Sequence, residues 1–192
     1  MGILSDTSFK ELVVPREKSE VAKKWFQKRD WASINGKILI LPFDINNLGP
    51  FNYDLCVGEE AFAIRTQKRI SISKERGAFI EPNDIFLVLT QEYLGLPREF
   101  AAYIMPRFCF VREGIIQSMT KIDPTWFGRI AVAITNLSNS SFKLRRGQAF
   151  CTLIIQRLDQ PSSKVLDPGK VPALGKESID YFLGSLRKTC IR

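Results

Sequence analysis

Between residues 36 and 158 the apolar positions fall into short runs rich in Ile, Val and Phe, each broken within a few residues by Gly, Pro, Asn or Asp. Runs of that length bounded by turn residues predict strands over Lys37–Leu41, Tyr53–Val57, Ala61–Thr66, Arg69–Ile72, Ala78–Ile80, Ile85–Thr90, Ala101–Met105, Gly128–Thr135 and Ala149–Gln156. Crossovers of helical length are missing throughout. The pattern therefore implies a mainly β chain folded as a sandwich, jelly roll or barrel, not a parallel α/β sheet. The polar cluster Asn136-Leu137-Ser138-Asn139-Ser140-Ser141 reads as a hairpin loop, and Arg145-Arg146-Gly147 as a tight turn into the last strand.

Before residue 36 the period changes. Ser5 or Asp6 can accept the orphan amide hydrogens of a short helix whose Phe9, Leu12 and Val13 share one face and which Pro15 ends. Residues 17 to 31 are charged, with Val21, Trp25 and Phe26 forming the narrow apolar stripe of a second, surface helix. Residues 159 to 175 carry three prolines and read as a surface tail, followed by a short terminal helix capped by Ser178. The expected plan is thus an N-terminal helical segment packed on the barrel (1–35), one β domain (36–158) and a Pro-rich tail with a C-terminal helix (159–192).

Composition narrows the chemistry. The chain has 192 residues, 45% apolar and 25% charged, enough for one domain with a real core. No window approaches 18 uninterrupted apolar residues, and the N-terminus lacks the order of a signal peptide, so a cytoplasmic protein without membrane contact is expected. The net charge of +8 favours an anionic partner. Its cations are scattered in small groups (Lys23-Lys24, Lys28-Arg29, Lys68-Arg69, Arg145-Arg146, Arg187-Lys188), without the clustered face that marks nucleic-acid binding, so nucleic acid is not the expected partner. Histidine is absent, which excludes His-dependent triads and imidazole zinc sites. The cysteines Cys56, Cys109, Cys151 and Cys190 are far apart and read as free thiols.

The chemistry-bearing stretch is Pro106 to Arg129. It holds Arg107 and Arg112 five positions apart, a glycine turn at Gly114, and Asp123 followed by Pro124, Thr125, Trp126 and Gly128. Cations near an isolated carboxylate, an aromatic ring and a glycine suit a polyanion with a flat end, such as a nucleotide. A solvated turn between two strands is the other reading, with Asp123 making turn hydrogen bonds and Trp126 packing the core.

Several fragments occur in one order: ILSD near the start, NYDLCVG at 52–58, FLVLTQEYLGLP at 86–97, Arg107 then REGI at 112–115, IDPTWFG at 122–128 and LRRGQAF at 144–150. In this combination the chain resembles the dCTP deaminases and trimeric dUTPases, closer to the deaminase branch, over roughly residues 3 to 158. The resemblance implies a distorted β-barrel or jelly roll of the dUTPase-like type. It also implies a homotrimer with nucleotide sites between subunits, magnesium accompanying a bound triphosphate such as dCTP or dUTP, and no zinc or other protein-bound metal.

Carried over position by position, the resemblance assigns phosphate binding to Arg107 and Arg112. The family's two serines after the first arginine are Phe108 and Cys109 here. Asp123 matches an aspartate under the sugar, catalytic only in a diphosphatase, and Trp126 the aromatic beneath the deoxyribose, while the expected glycine is Thr125. The glutamate that moves protons at the pyrimidine C4 in the deaminase branch falls on Ala133, and a methyl group cannot carry a proton. Losing such a group costs about 10²- to 10⁴-fold in rate. Thr152 replaces a glutamine near the end of the last strand. These departures point to a deoxynucleotide-binding, sensing or interaction protein without deaminase activity. Two alternatives stay open: an active dCTP deaminase or dUTP diphosphatase whose site is rebuilt with Glu92, Glu113 and Asp123, and a structural trimerisation platform.

Overall fold

A computed structural model describes residues 2–165; the expected helix from Ser178 lies outside the described residues. The architecture is mainly β, as the spacing implies. In chain order the elements are β1 (Gly2–Ile3), α1 (Asp6–Leu12), α2 (Ser19–Lys28), α3 (Trp31–Ile34), β2 (Leu39–Leu41), β3 (Tyr53–Ala63), β4 (Lys68–Ser71), β5 (Ala78–Ile80) and β6 (Ile85–Thr90). They continue with β7 (Tyr93–Gly95), β8 (Phe100–Pro106), α4 (Phe108–Val111), β9 (Ile115–Gln117), β10 (Thr120–Ile122), β11 (Phe127–Gly128), β12 (Ala131–Asn136), β13 (Phe142–Leu144) and β14 (Ala149–Arg157).

One antiparallel sheet dominates, in the order β10-β8-β14-β3-β6-β12-β9, with β1 on β14 and β4 on β3. A three-stranded sheet (β11-β7-β2) and the pair β13-β5 complete the fold. The two predicted strands 53–57 and 61–66 are one strand, β3. It pairs with β14 at Tyr53–Cys56, bulges between Val57 and Ala61, and then pairs with β6. At Gly58 the backbone lies against β6 so closely that a Cβ would sit 2.7 Å from the Leu89 carbonyl oxygen, and only glycine fits such an approach. The predicted strand Gly128–Thr135 divides instead. Gly128, at φ 149°, ends β11 on β7, and the chain joins β6 only from Ala131 onward.

The buried positions follow the pleat. In β12, Val132, Ile134 and Asn136 face the core while Ala131, Ala133 and Thr135 face outward, the period of two expected for a half-buried strand. Tyr53, Phe100, Phe150 and Phe9 are fully buried, each burial contributing on the order of 2–3 kcal/mol. Helix α1 is capped by Ser5, whose Oγ accepts from Ser8 N–H at 3.3 Å, and it inserts Phe9 into this core. The predicted helix 17–31 breaks at Arg29, which is left-handed at φ 55°, and α3 begins after it. Of the predicted stripe Val21, Trp25 and Phe26, Val21 is exposed, and the helix is anchored through Ala22 and Phe26. Ala22 and Phe26 are buried with Ile34, Leu39 and Phe127, and the Phe26 ring lies on Gly95, where a Cβ would meet it at 2.8 Å.

Candidate functional site

Arg107 leaves the end of β8 and opens the single turn α4. Its N–H donates to Gln117 Oε1 (3.1 Å), and buried Gln117 donates through Nε2 to the Phe150 carbonyl (2.6 Å), so the first residue of the motif is tied to β9 and β14. Phe110 is buried and packs its ring against Phe142 at 5.3 Å, pinning the turn. Gly114, at φ 78°, then lets the chain reverse into β9, a left-handed conformation that glycine adopts without strain.

The two arginines are in different states. The guanidinium of Arg107 makes an ion pair with Asp54 (Nη1–Oδ2 3.2 Å), and Asp54 is itself held by Thr152 Oγ1 (2.8 Å) and Asn52 Nδ2 (3.4 Å). A guanidinium has five N–H donors, so an aspartate on one edge leaves others for a phosphate while offsetting part of the charge. Arg112 is exposed and has no carboxylate partner among the described residues. Asp54 and Thr152 thus form a support for Arg107 that sequence reasoning missed. Asp54 sits inside the NYDLCVG fragment without an assigned role, and Thr152 counted only as a lost contact. Their partnership spans 98 positions and has no local signature.

Phe108 and Cys109 follow Arg107 as the first residues of α4. Phe108 is 77% exposed and points away from the core, and Cys109 is exposed as well, so neither ring nor thiol is consumed by packing. Cys56 and Cys151, by contrast, are buried, and burial pushes the Cys56 thiol up to about 12.

Asp123 and Trp126 lie elsewhere. β10 pairs with β8 so that Ile122 faces Ala102, whereas Arg107 follows Ala102 by five positions (107 − 102) on the same strand line. At about 3.4 Å per residue the two backbone positions are roughly 17 Å or more apart along the sheet. Asp123 is engaged by Lys121 Nζ, and Trp126 is half-buried against the core with Nε1 donating to the Gly128 carbonyl (3.3 Å). Thr125 between them is buried and left-handed at φ 66°, a conformation costly for a β-branched residue. A single copy of the chain therefore does not bring the two halves of the expected site together.

Ala133 faces outward from β12 opposite Leu87, on the sheet face that carries Phe62, Leu89 and Ala131. Its backbone is occupied, with Ala133 N–H donating to Ser118 Oγ (3.0 Å) and Ser118 N–H to the Ala133 carbonyl (2.8 Å). Of the carboxylates considered for a rebuilt site, Glu113 is exposed beside Cys109 in a trough of about 570 Å³. Glu92 is 1% exposed, and its Oε2 accepts from Cys56 N–H at 3.0 Å. Burial pushes its pKa from 4.5 up to about 7, opposed by that backbone hydrogen bond. A carboxyl titrating near 7 has the right acidity for general acid–base work, yet this one is sealed from any ligand. No group of three or more His, Cys, Asp or Glu among the described residues could hold a metal ion. No helix among them is long and apolar enough to cross a membrane.

The family model for dCTP deaminase-like proteins matches residues 27–158. Among curated relatives, the dCTP deaminase of Pyrococcus horikoshii is 37% identical over 132 residues, covering 69% of this chain and 83% of that protein. The dCTP deaminase of Pyrococcus furiosus is 38% identical over 133 residues, with the same shares. Among solved structures, a 2'-deoxycytidine 5'-triphosphate deaminase from Agrobacterium tumefaciens superposes with a TM-score of 0.60 at 18% identity over 82% of this chain. The chain spans about half of that protein (48%), and at this identity the likeness establishes the shared fold.

Proposed function

The chain belongs to the dCTP deaminase-like family, and from that premise we propose that it binds a deoxycytidine-type nucleoside triphosphate without deaminating it at enzymatic rates. The observation that carries the second half is Ala133: the outward position on β12 opposite Leu87 presents a methyl group, which cannot pass a proton. Arg107 and Arg112 bind the phosphates, Arg107 held in place by Asp54 and Thr152. The distance between Arg107 and Asp123 within one chain supports a cleft between copies, with Asp123 and Trp126 supplied by a neighbour in a homotrimer. In this plan residues 36–158 form the nucleotide-binding β domain, residues 1–35 its helical edge and 159–192 the tail. The described residues offer no metal cage, so magnesium would arrive with the triphosphate, coordinated by phosphate oxygens and water.

The test is incubation of the purified protein with dCTP and with dUTP, each with magnesium, followed by chromatography, alongside thermal unfolding with the same ligands. Unchanged nucleotide with a ligand-dependent rise in Tm is the expected result; a ligand at a hundred times its Kd adds about 2.7 kcal/mol. A second reading, an active dCTP deaminase, is favoured by the 37% identity to a protein bearing that name. It requires dUTP and ammonia to appear at a rate proportional to protein concentration.

A further inference from the structure

Cations that are scattered in the sequence meet at one end of the barrel. β5 and β13 pair so that Lys143 lies directly opposite Phe79, and its Nζ sits 5.4 Å from the centre of that ring. The turn after β13 is bonded to the loop before β5 through Arg146 N–H to the Ser73 carbonyl at 3.3 Å. The same two loops touch again at both glycines. A Cβ on Gly77 would meet Lys143 Cε at 3.1 Å, and one on Gly147 would lie 4.0 Å from Lys74 Cε. Lys74, Lys143, Arg145 and Arg146 therefore stand around these two loops, with Arg76 and the carboxylate Glu75 exposed in the same Ser73–Gly77 loop. Arg146 is paired with Glu59 at 3.2 Å, whereas Lys74, Arg76, Lys143 and Arg145 have no carboxylate within ion-pair distance among the described residues. Phe79 is 53% exposed beside the Lys143 ammonium. From Lys143 and Arg145 the trough of about 570 Å³ runs past Ser138 and Ser141 to Cys109 and the carboxylate of Glu113.

We propose that this surface binds single-stranded nucleic acid, with Lys74, Arg76, Lys143 and Arg145 on the phosphates and Phe79 stacking a base. The proposal departs from the expectation drawn from the sequence and is independent of the nucleotide site. Unpaired cations on a rigid surface neutralise backbone phosphates and release counterions. An exposed aromatic ring beside them recognises a base face, which a single strand presents and a closed duplex hides within its stack.

The experiment is fluorescence anisotropy of a labelled 20-nucleotide poly(dT) against the full chain from 50 to 200 mM NaCl. Three or four engaged phosphates give a slope of log K against log[salt] of about −2 to −3, a loss of roughly 20- to 50-fold across that range. The triple variant Lys74→Gln, Arg76→Gln, Arg145→Gln is expected to weaken binding at least tenfold and flatten the slope. Phe79→Ala is expected to weaken it while keeping the slope. Tm measurements on both variants establish that they fold. Saturating dCTP should leave oligonucleotide binding unchanged. Absence of binding at 50 mM salt, displacement by dCTP, equal affinity for a duplex of the same length, or binding only to anionic phosphatidylglycerol vesicles would each overturn the proposal.

Discussion

At Glu92 the chain buries a carboxyl with a pKa of about 7, hydrogen-bonded to Cys56 and closed to ligands, whereas at Ala133, on the outward face of β12, it exposes a position with no proton to give. One side chain has an acidity near neutrality without access; the other is partly accessible and has nothing to ionise. Sealing from water both raises the pKa of a carboxyl and removes it from reach. A perturbed carboxyl inside a β core is thus weak evidence of catalysis, and the position of the side chain decides before its pKa does.

The largest effect expected from breaking this comparison is a gain of function. Restoring a carboxylate and both hydroxyls in the triple variant Phe108→Ser, Cys109→Ser, Ala133→Glu should raise dCTP deamination by about 10²- to 10⁴-fold, read as dUTP by chromatography. If instead the unaltered chain already turns over rapidly and Ala133→Glu changes nothing, Ala133 is not the position that matters.

Next in size is the pH dependence of stability. The folded protein holds a proton on Glu92 that the unfolded chain has released between pH 4.5 and about 7. Stability therefore falls as pH rises through that window, by roughly 3 kcal/mol in all, and levels off above it. Glu92→Gln keeps an acceptor for Cys56 N–H and should flatten the profile in urea unfolding measured from pH 5 to 8. A slope equal to that of the unsubstituted protein would place the titration elsewhere.

The smallest effect concerns the Arg107 support. Asp54→Asn removes a partly exposed ion pair, with side-chain exposures of 31% and 22%, and should cost about 1 kcal/mol. Arg107→Ala should cost a similar amount and, unlike Asp54→Asn, abolish the dCTP-dependent rise in Tm. Loss of folding in Arg107→Ala would make that residue structural.

Strands β5, β6, β8 and β14 were legible because their apolar runs sit between turn residues and span one pleated segment each. β7, β9, β10, β11 and β13 were not, since strands of two or three residues are legible only where turn residues bracket them, as Gly77 and Pro82 bracket β5. β3 read as two strands because a bulge interrupts its alternation at Gly58-Glu59-Glu60. In the candidate site Arg107, Arg112 and Ala133 were legible as positions along one stretch of sequence. The Asp54–Arg107 pair and the burial of Glu92 were not, because both depend on which distant strand becomes a neighbour.

By itself, then, the sequence determined the β class, the capped first helix and the methyl side chain at Ala133, all properties of local order. Tertiary structure alone separated Arg107 from Asp123 along the sheet, sealed Glu92 behind Cys56, and brought the loop of Lys74 and Arg76 beside the turn of Arg145 and Arg146. The physical reason is that alternation along a strand says which face a residue takes, while pairing between strands dozens of residues apart decides what stands beside it.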